Sequence, residues 1–235
     1  MSKVDTAIAI KTCPCCAGIN FEQQKIIWDE LAAEWDLSKS ERKYIDRQQG
    51  LQCTNCRANL RSMCLAAAII NIYNFKGTLQ NSVKKMKRKL SVLEINEAGT
   101  LSEYFANFNR HTLAKYPDVK IENLPYMDNE FNLVIHSDTL EHVKDPIKGL
   151  KEVHRVLKPG GFTLYTIPII LDRLSKRRVG KKSYHGSPGN DEYQVITEYG
   201  ADMWTQLMDA GFNECRLITI DYPASIAIIG CKPKQ

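Results

Sequence analysis

The sequence has no long apolar run: no stretch approaches the roughly 20 residues that a membrane-spanning helix needs. Its first ten residues, MSKVDTAIAI, lack the apolar core and the small-residue cleavage site of a secretory signal peptide, so we expect a cytoplasmic protein. Net charge is only +5 over 235 residues, which by itself does not argue for a nucleic-acid partner. The hydrophobic content of 43% is ordinary for a globular protein.

Positive charge is instead concentrated in two places. Five of the six residues from Lys84 to Lys89 are basic, and five more basic residues lie between Lys176 and Lys182. Two interpretations stay open at this point. The runs are either a solvated linker and loop, or they attract an anionic substrate.

Cysteine is abundant, with eight residues, and the cytosol would keep it reduced, so clustered cysteines suggest a metal before a disulfide. Two Cys-x-x-Cys pairs stand near the N-terminus, Cys13 with Cys16 and Cys53 with Cys56. Each pair can fill two adjacent tetrahedral positions of a zinc ion, and four thiolates leave no open position, so the zinc would be structural. Cys15 could replace Cys16 as a ligand. Buried structural cysteines, or a redox thiol, are the alternatives.

The 36 residues between Cys16 and Cys53 are long enough to form their own structure. Apolar residues at helical spacing in FEQQKIIWDELAAEW predict one helix. Ser38-x-x-Glu41 is a capping box for a second helix, with Gly50 as its stop. The stretch after Cys56 predicts a third helix with an apolar face.

From residue 90 onward, short apolar runs alternate with helical patterns. The predicted strands are KLSVLEI, HTLAKY, FNLVIHS, FTLYTIP, ECRLITI and SIAIIGC, and the predicted helices are TLSEYFANF, DPIKGLKEVHRVL and EYGADMWTQLMDAGF, with KPGG as a turn. This alternation predicts a mainly parallel sheet with helices on both faces. In such sheets ligands bind at the carboxyl ends of the strands.

The stretch from Asn123 to Pro168 closely resembles class I S-adenosylmethionine-dependent methyltransferases. The family pattern is present as Leu124-Pro125-Tyr126, Asp128, Phe131-Asn132, Leu140-Glu141-His142, Asp145-Pro146 and Arg155 to Gly161. The cysteine segment, through QCTNCRANLRSM, resembles a methyltransferase-11-like bacterial subgroup that joins a zinc-knuckle segment to this fold.

This resemblance implies an α/β fold: a Rossmann-like doubly wound sheet with a small N-terminal helical zinc-binding segment. We expect a zinc-knuckle helical domain over residues 1–75, a linker over 76–89 and a methyltransferase domain over 90–235. The implied cofactors are S-adenosylmethionine (SAM) and a structural zinc ion.

The stretch VLEINEAGT occupies the place of the family's glycine-rich cofactor turn, yet it contains one glycine, Gly99. Glu94 matches the acidic position, while Asn96, Ala98 and Thr100 replace the glycines. Asn tolerates the left-handed backbone conformation, whereas Ala there would cost about 1–2 kcal/mol. We therefore predict a reshaped cofactor turn in which Gly99 supplies the remaining freedom. An inert strand end is the alternative.

Only seven residues separate Tyr116 from Leu124, so the family's second helix and third strand cannot fit fully, and we expect a reduced sheet there. Asp118 is the nearest candidate for the acid that holds the ribose. The cofactor contacts implied by the resemblance are Glu94, Asn96, Ala98, Gly99, Asp118, Ile121, Glu122, Asn123, His136, Ser137, Asp138 and His142.

Methyl transfer depends mainly on alignment of the reacting atoms. Proximity and orientation supply roughly 7–11 kcal/mol, while a general base adds roughly 3–5 kcal/mol. The candidate bases are His136, at the end of a strand, and His185, next to Tyr184 in a long connection after Leu171. Connections of that length commonly bind substrate.

Three functions remain open. The first is methylation of an oxygen or nitrogen of a small molecule or of a saccharide or cell-surface precursor. The second is an RNA methyltransferase with the zinc segment as reader, although the knuckles lack the basic and aromatic pattern of nucleic-acid binding. The third is a non-catalytic binding module. The sequence identifies neither the methyl acceptor nor the oligomeric state.

Overall fold

The computed structural model describes residues 10–178 and 194–234. The strands of these residues are β1 (Phe21–Gln23), β2 (Leu51–Cys53), β3 (Ser91–Ile95), β4 (Arg110–Ala114), β5 (Phe131–Ser137), β6 (Leu157–Thr166), β7 (Lys176–Arg177), β8 (Thr197–Glu198), β9 (Cys215–Ile220) and β10 (Ser225–Cys231). The helices are α1 (Asp29–Glu34), α2 (Lys39–Gly50), α3 (Leu60–Ile72), α4 (Leu79–Met86), α5 (Ser102–Phe105), α6 (Pro146–Val156) and α7 (Thr205–Asp209). None of the helices in these ranges is long and apolar enough to cross a membrane.

A six-stranded sheet in the order β4-β3-β5-β6-β10-β9 forms the centre of the molecule. The pairings from β4 to β6 are parallel, and β10 is antiparallel to both of its neighbours. The sheet is therefore mixed, with a parallel half and an antiparallel edge. This arrangement confirms the predicted α/β doubly wound sheet and all six predicted strands.

Helices cover both faces of this sheet because the side chains of a buried strand alternate between the faces. Leu133 and Ile135 of β5 belong to the core that includes α3. Val134, between them, belongs to the other core, which includes Leu150 of α6 and Leu207 of α7. Both sides of β5 are apolar for this reason.

The sheet is reduced on the side where the sequence predicts it. β4 pairs with β3 and has no second neighbour among the described residues. The chain from β4 to β5 forms turns and one isolated bridge, between Lys120 and Asn123, instead of a further strand.

The N-terminal segment contains the predicted helices, but the first is limited to α1, because Phe21–Gln23 form β1 instead. Ser38 caps α2, and its hydroxyl and the Glu41 side chain form both halves of the predicted capping box. Asn59 caps α3 by accepting a hydrogen bond from the Ser62 amide at 2.9 Å. The stretch 76–89, expected to be a linker, contains α4, which Thr78 caps and which has a buried face. The division of the chain into domains stays a prediction.

Two expectations for residues 90–235 are wrong. The predicted turn KPGG lies inside β6, where Gly160 takes a φ of +77° and the register against β5 is irregular. The last predicted helix shortens to α7 because its first residues are used elsewhere: Glu198 belongs to β8 and Tyr199 bridges to Ile169.

A charge cluster joins the N-terminal segment to the chain that follows β6. The Arg173 guanidinium donates to both Glu41 carboxylate oxygens, at 2.8 and 2.9 Å, and to Glu198 at 3.2 Å. It also donates to the main-chain oxygen of Trp35 at 2.9 Å. Arg178 donates to Glu198 at 2.7 Å and stacks on the Trp35 ring at 4.3 Å.

Candidate functional site

The two Cys-x-x-Cys pairs meet in one place. The sulfurs of Cys13, Cys16, Cys53 and Cys56 all lie within 4.8 Å of one another. The shortest approaches join the two pairs, with Cys13 to Cys56 and Cys16 to Cys53 both at 3.7 Å. The strand pair β1–β2 helps to bring the pairs together, since Phe21 pairs with Cys53. Four sulfurs at this spacing match the ligand set of a tetrahedral zinc site.

Both cysteine pairs have the same turn geometry. The residue after each pair is left-handed, with φ of 66° at Ala17 and 61° at Arg57. In both turns its amide donates to the carbonyl of the first cysteine, at 2.8 Å. The Gly18 amide then points at the Cys16 sulfur, at 3.4 Å. Such amides stabilise a thiolate, as a metal ligand requires.

Cys15 lies outside the four-sulfur group. It is fully buried, and its thiol hydrogen bonds to Cys13 and Cys56. These bonds lower the pKa of Cys13 to about 7 and that of Cys56 to about 4. Between the two alternatives left open by the sequence, the geometry groups Cys16, rather than Cys15, with the other three cysteines.

The glycine-poor turn after β3 has the shape that the sequence predicts. Asn96 and Gly99 are left-handed, with φ of 55° and 58°, while Ala98 stays at −79°. Asn and Gly thus take the two positions that an alanine would strain.

Glu94 holds this turn from inside the sheet. Its fully buried carboxylate accepts the Ala98 amide at 2.9 Å and the Ser102 hydroxyl, and it pairs with the Nε2 of His111 at 2.8 Å. These bonds fix the turn, and contact of Glu94 with a cofactor stays a prediction.

Asn96 connects the ends of three neighbouring strands. Its side-chain oxygen accepts the Tyr116 amide, after β4, at 3.0 Å, and its side-chain nitrogen donates to the Thr139 hydroxyl, after β5, at 3.4 Å. The carboxyl ends of β3, β4 and β5 form one rim, which is where such sheets bind ligands.

His136 lies in β5 but does not face this rim. Its ring is fully buried and stacks on Tyr165, with the ring centroids 4.6 Å apart. Neither ring nitrogen has a hydrogen-bond partner among the described residues. Burial lowers the pKa of His136 to about 3, so the ring is neutral at physiological pH. The other candidate base, His185, lies outside the described residues, as does Tyr184.

An ion pair between two elements lies at the rim. Arg61, in the first turn of α3, pairs with Asp138, which follows β5 and is left-handed at φ 47°. The side chains are only 12% and 24% exposed. Ser137, before Asp138, shares a hydrogen bond with Thr166 at 2.8 Å.

Glu141 is buried close to this pair. Its side chain is 2% exposed, and neither carboxylate oxygen has a hydrogen-bond partner in the described part of the chain. Burial raises the pKa of Glu141. The Nδ1 of the neighbouring His142 lies 2.9 Å from the carbonyl oxygen of Gln194.

The predicted adenosine contacts follow β4. Asp118 and Asn123 are exposed, and Glu122 is half-buried. Ile121 is buried and packs on Gly149 of α6, where an added Cβ would lie 3.1 Å from it. Their contact with a cofactor stays a prediction.

Sequence reasoning missed four residues of this site, namely Arg61, Ser102, His111 and Thr139. The register between β3 and β4 could have indicated His111. This residue pairs with Val92, which lies two residues before Glu94, so its side chain reaches the Glu94 carboxylate diagonally across the two strands. The sequence of α3 does not indicate that Arg61 faces the rim. That orientation depends on how α3 packs on the sheet.

Residues 78–165 match the family described as a methyltransferase domain. Glycine/sarcosine/dimethylglycine N-methyltransferase of Actinopolyspora halophila is 34% identical over 105 residues, which cover 37% of this chain and 19% of that protein. The mitochondrial arginine-hydroxylase NDUFAF5 of Danio rerio is 30% identical over 121 residues, 46% and 35% of the two chains. The 2-phytyl-1,4-naphtoquinone methyltransferase of Nostoc punctiforme is 28% identical over 139 residues, 58% and 51% of the two chains.

The chain thus spans at most about half the length of these relatives. The four grouped cysteines lie before the residues that match the family. The family match covers residues 78–165, and two of these three relatives carry names of methyltransferases.

Proposed function

We propose that this protein is a SAM-dependent methyltransferase that methylates an oxygen or nitrogen of a small molecule or of a saccharide or cell-surface precursor. The observation that carries the proposal is the rim at the ends of β3 and β5, inside the residues that match the methyltransferase family. There Asn96, Gly99 and Asp138 take left-handed conformations after the adjacent strands β3 and β5.

The residues present fit a cofactor with a charged end. Buried polar atoms at the rim have no hydrogen-bond partner among the described residues, including the Glu141 Oε2 and the Thr100 hydroxyl oxygen. The other Glu141 oxygen lies 3.7 Å from the Nε2 of His142. Natural proteins rarely leave such atoms unpaired, so they indicate a place for a polar ligand. When bound, SAM supplies an electrophilic methyl group on a sulfonium.

The protein's own part is mainly to position the reactants. Glu94 stabilises the turn after β3 through the Ala98 amide, and Asn96 hydrogen bonds to the residues that follow β4 and β5. His136 has no access to solvent, and we assign it no proton transfer in this conformation. This does not weaken the proposal, since alignment contributes about 7–11 kcal/mol and a base about 3–5 kcal/mol.

A small acceptor is favoured over RNA by two observations. The cysteine knuckles lack the pattern of basic and aromatic residues that binds single-stranded nucleic acid. Two of the relatives described above carry names of enzymes that methylate small molecules.

We also propose that Cys13, Cys16, Cys53 and Cys56 bind a structural zinc ion. Their spacing, the shared turn geometry and the amide directed at the Cys16 sulfur support it. Four thiolates would complete the coordination shell, so this metal would stabilise the fold and would not contact substrate.

The test of the enzymatic proposal is titration calorimetry with S-adenosylhomocysteine, followed by transfer of a labelled methyl group from SAM into extract fractions. We expect one binding site per chain and label in a small-molecule or saccharide fraction. Label in RNA, lost on nuclease treatment, would favour the RNA methyltransferase. A chain that binds neither SAM nor its product would be a non-catalytic module.

A further inference from the structure

We infer that Arg61, which the N-terminal segment supplies, binds the carboxylate of the cofactor's amino-acid end, and that Asp138 binds its ammonium group. The inference rests on the proposed function and deepens it. Arg61 precedes residues 78–165, which match the methyltransferase family, and would position the cofactor from the N-terminal segment.

The position of α3 places Arg61 at the rim. The helix starts four residues after Cys56, the last cysteine of the metal group, and Asn59 caps it. Ser62, next to Arg61, lies against the cofactor turn: a Cβ added at Gly99 would be 3.3 Å from its hydroxyl oxygen. The first turn of α3 therefore packs on the turn that the family uses for its cofactor.

The charges match an amino-acid zwitterion. Arg61 and Asp138 form a largely buried pair of opposite charges at the strand ends. A zwitterion between them can pair its carboxylate with the guanidinium and its ammonium with the carboxylate, so the buried net charge does not change. Guanidinium and carboxylate groups also fit as a planar, two-bond pair.

The surroundings indicate a ligand rather than a closed structural ion pair. The Arg61 Nε, one Asp138 oxygen and the Glu141 Oε2 are buried and have no hydrogen-bond partner among the described residues. A buried polar group that stays unpaired destabilises the fold, because it has lost its hydrogen bonds to water. A purely structural pair would be expected to satisfy these atoms with neighbouring protein groups.

Arg61 keeps its charge at this site. Burial lowers the pKa of its guanidinium to about 10, and the nearby Glu141 carboxyl opposes the shift. At physiological pH the side chain is therefore a cation.

Two ligands separate recognition of the amino-acid end from binding of the nucleoside. S-adenosylhomocysteine carries the amino-acid end, and 5′-methylthioadenosine has the same nucleoside and a thioether without it. Calorimetry with both ligands compares the wild-type chain with Arg61→Met. We expect affinity for S-adenosylhomocysteine to fall at least 10-fold and affinity for 5′-methylthioadenosine to stay within twofold.

The matched control is Arg216→Met, because Arg216 is 53% exposed, pairs with Glu214 at the surface and lies on β9, at the far edge of the sheet. We expect it to change neither affinity. Asp138→Asn should weaken only S-adenosylhomocysteine. If Arg61→Met does not fold, as judged by thermal unfolding, Arg61→Lys replaces it. Lysine keeps the positive charge but lacks the planar guanidinium, so affinity for S-adenosylhomocysteine should fall selectively but by less.

The outcomes are distinguishable. If the wild-type chain binds neither ligand, the proposed function fails, and this inference fails with it. If the wild-type chain binds both ligands and the folded Arg61 variant binds them equally well, only the inference is overturned. Equal weakening of both ligands also overturns it, because that pattern indicates a structural role.

Discussion

His136 shows how burial changes a residue that the sequence nominates as a general base. FNLVIHS predicts the strand correctly, and the histidine near its end suggests a place in the site. The sequence does not reveal that Tyr165 of the neighbouring strand covers the ring. By contrast, the left-handed conformations of Asn96 and Gly99 were predictable, because they follow from the chemistry of the residues themselves.

The buried ring predicts a pH dependence of stability. Its pKa is about 3 in the folded chain and about 6.5 when unfolded, so the unfolded state binds more protons between these values. This contribution to stability is complete above pH 6.5 and is lost as the pH falls towards 3, by up to about 1.4 kcal/mol per pH unit.

The variant His136→Phe, which keeps a flat ring against Tyr165, should lack this dependence. Urea unfolding at pH 7 and pH 5 should show the wild-type chain losing about 2 kcal/mol more than the variant. Parallel losses in the two proteins would mean that the ring is charged in the fold.

The helices that were predictable from the sequence are those whose first turn carries a recognisable capping or proline pattern. The capping box at Ser38 and Glu41 marks the start of α2, and Pro146 lies in the first turn of α6 as expected. The last predicted helix is short because Tyr199 bridges to Ile169, about thirty residues earlier, a tertiary contact that overrides helix propensity.

The two cysteine turns predict that removal of one sulfur releases the metal. Cys53→Ser should reduce the zinc content, measured by elemental analysis, from one equivalent to near zero. Because metal binding adds on the order of 10 kcal/mol to folding, the segment around α1 and α2 should then become sensitive to protease.

Cys215→Ser is the matched control, since Cys215 lies on β9 and outside the four-sulfur group. It should keep one equivalent of zinc and its protease resistance. Equal zinc in all three proteins, or none in the wild-type chain, would remove the metal site from the proposal.

At the scale of the whole molecule, docking of the N-terminal segment on the sheet was the least predictable feature. The sequence shows that α3 has an apolar face, but not which surface covers it. In the structure Cys64 of α3 donates to the Ile218 carbonyl of β9 at 3.2 Å, and the core around α3 continues into the sheet. The cluster around Arg173 fixes the same two parts at a second place.

Arg173→Met should destabilise the chain strongly. It leaves the Glu41 carboxylate buried without its partner, whose hydrogen bonds hold the pKa of Glu41 at about 2. Breaking a buried ion pair from one side costs about 3–5 kcal/mol, which urea unfolding at pH 7 would measure.

Arg216→Met provides the comparison, because Arg216 and its partner Glu214 are both about half exposed. Loss of a surface pair costs less than about 1 kcal/mol. Losses of similar size in the two variants would show that the Arg173 cluster does not hold the parts together.

The sheet that stops at β4 also has a consequence for how copies of the chain meet. Within residues 10–178 and 194–234, β4 has no neighbour on its outer side, and main-chain amides and carbonyls at such an edge can pair with a strand of another molecule. Arg110 at one end is an exposed cation, and the exposed Lys115, just past the other end, pairs with Glu97. Charged side chains at both ends of a five-residue strand make edge-to-edge pairing unfavourable, so this short edge strand protects the chain against aggregation.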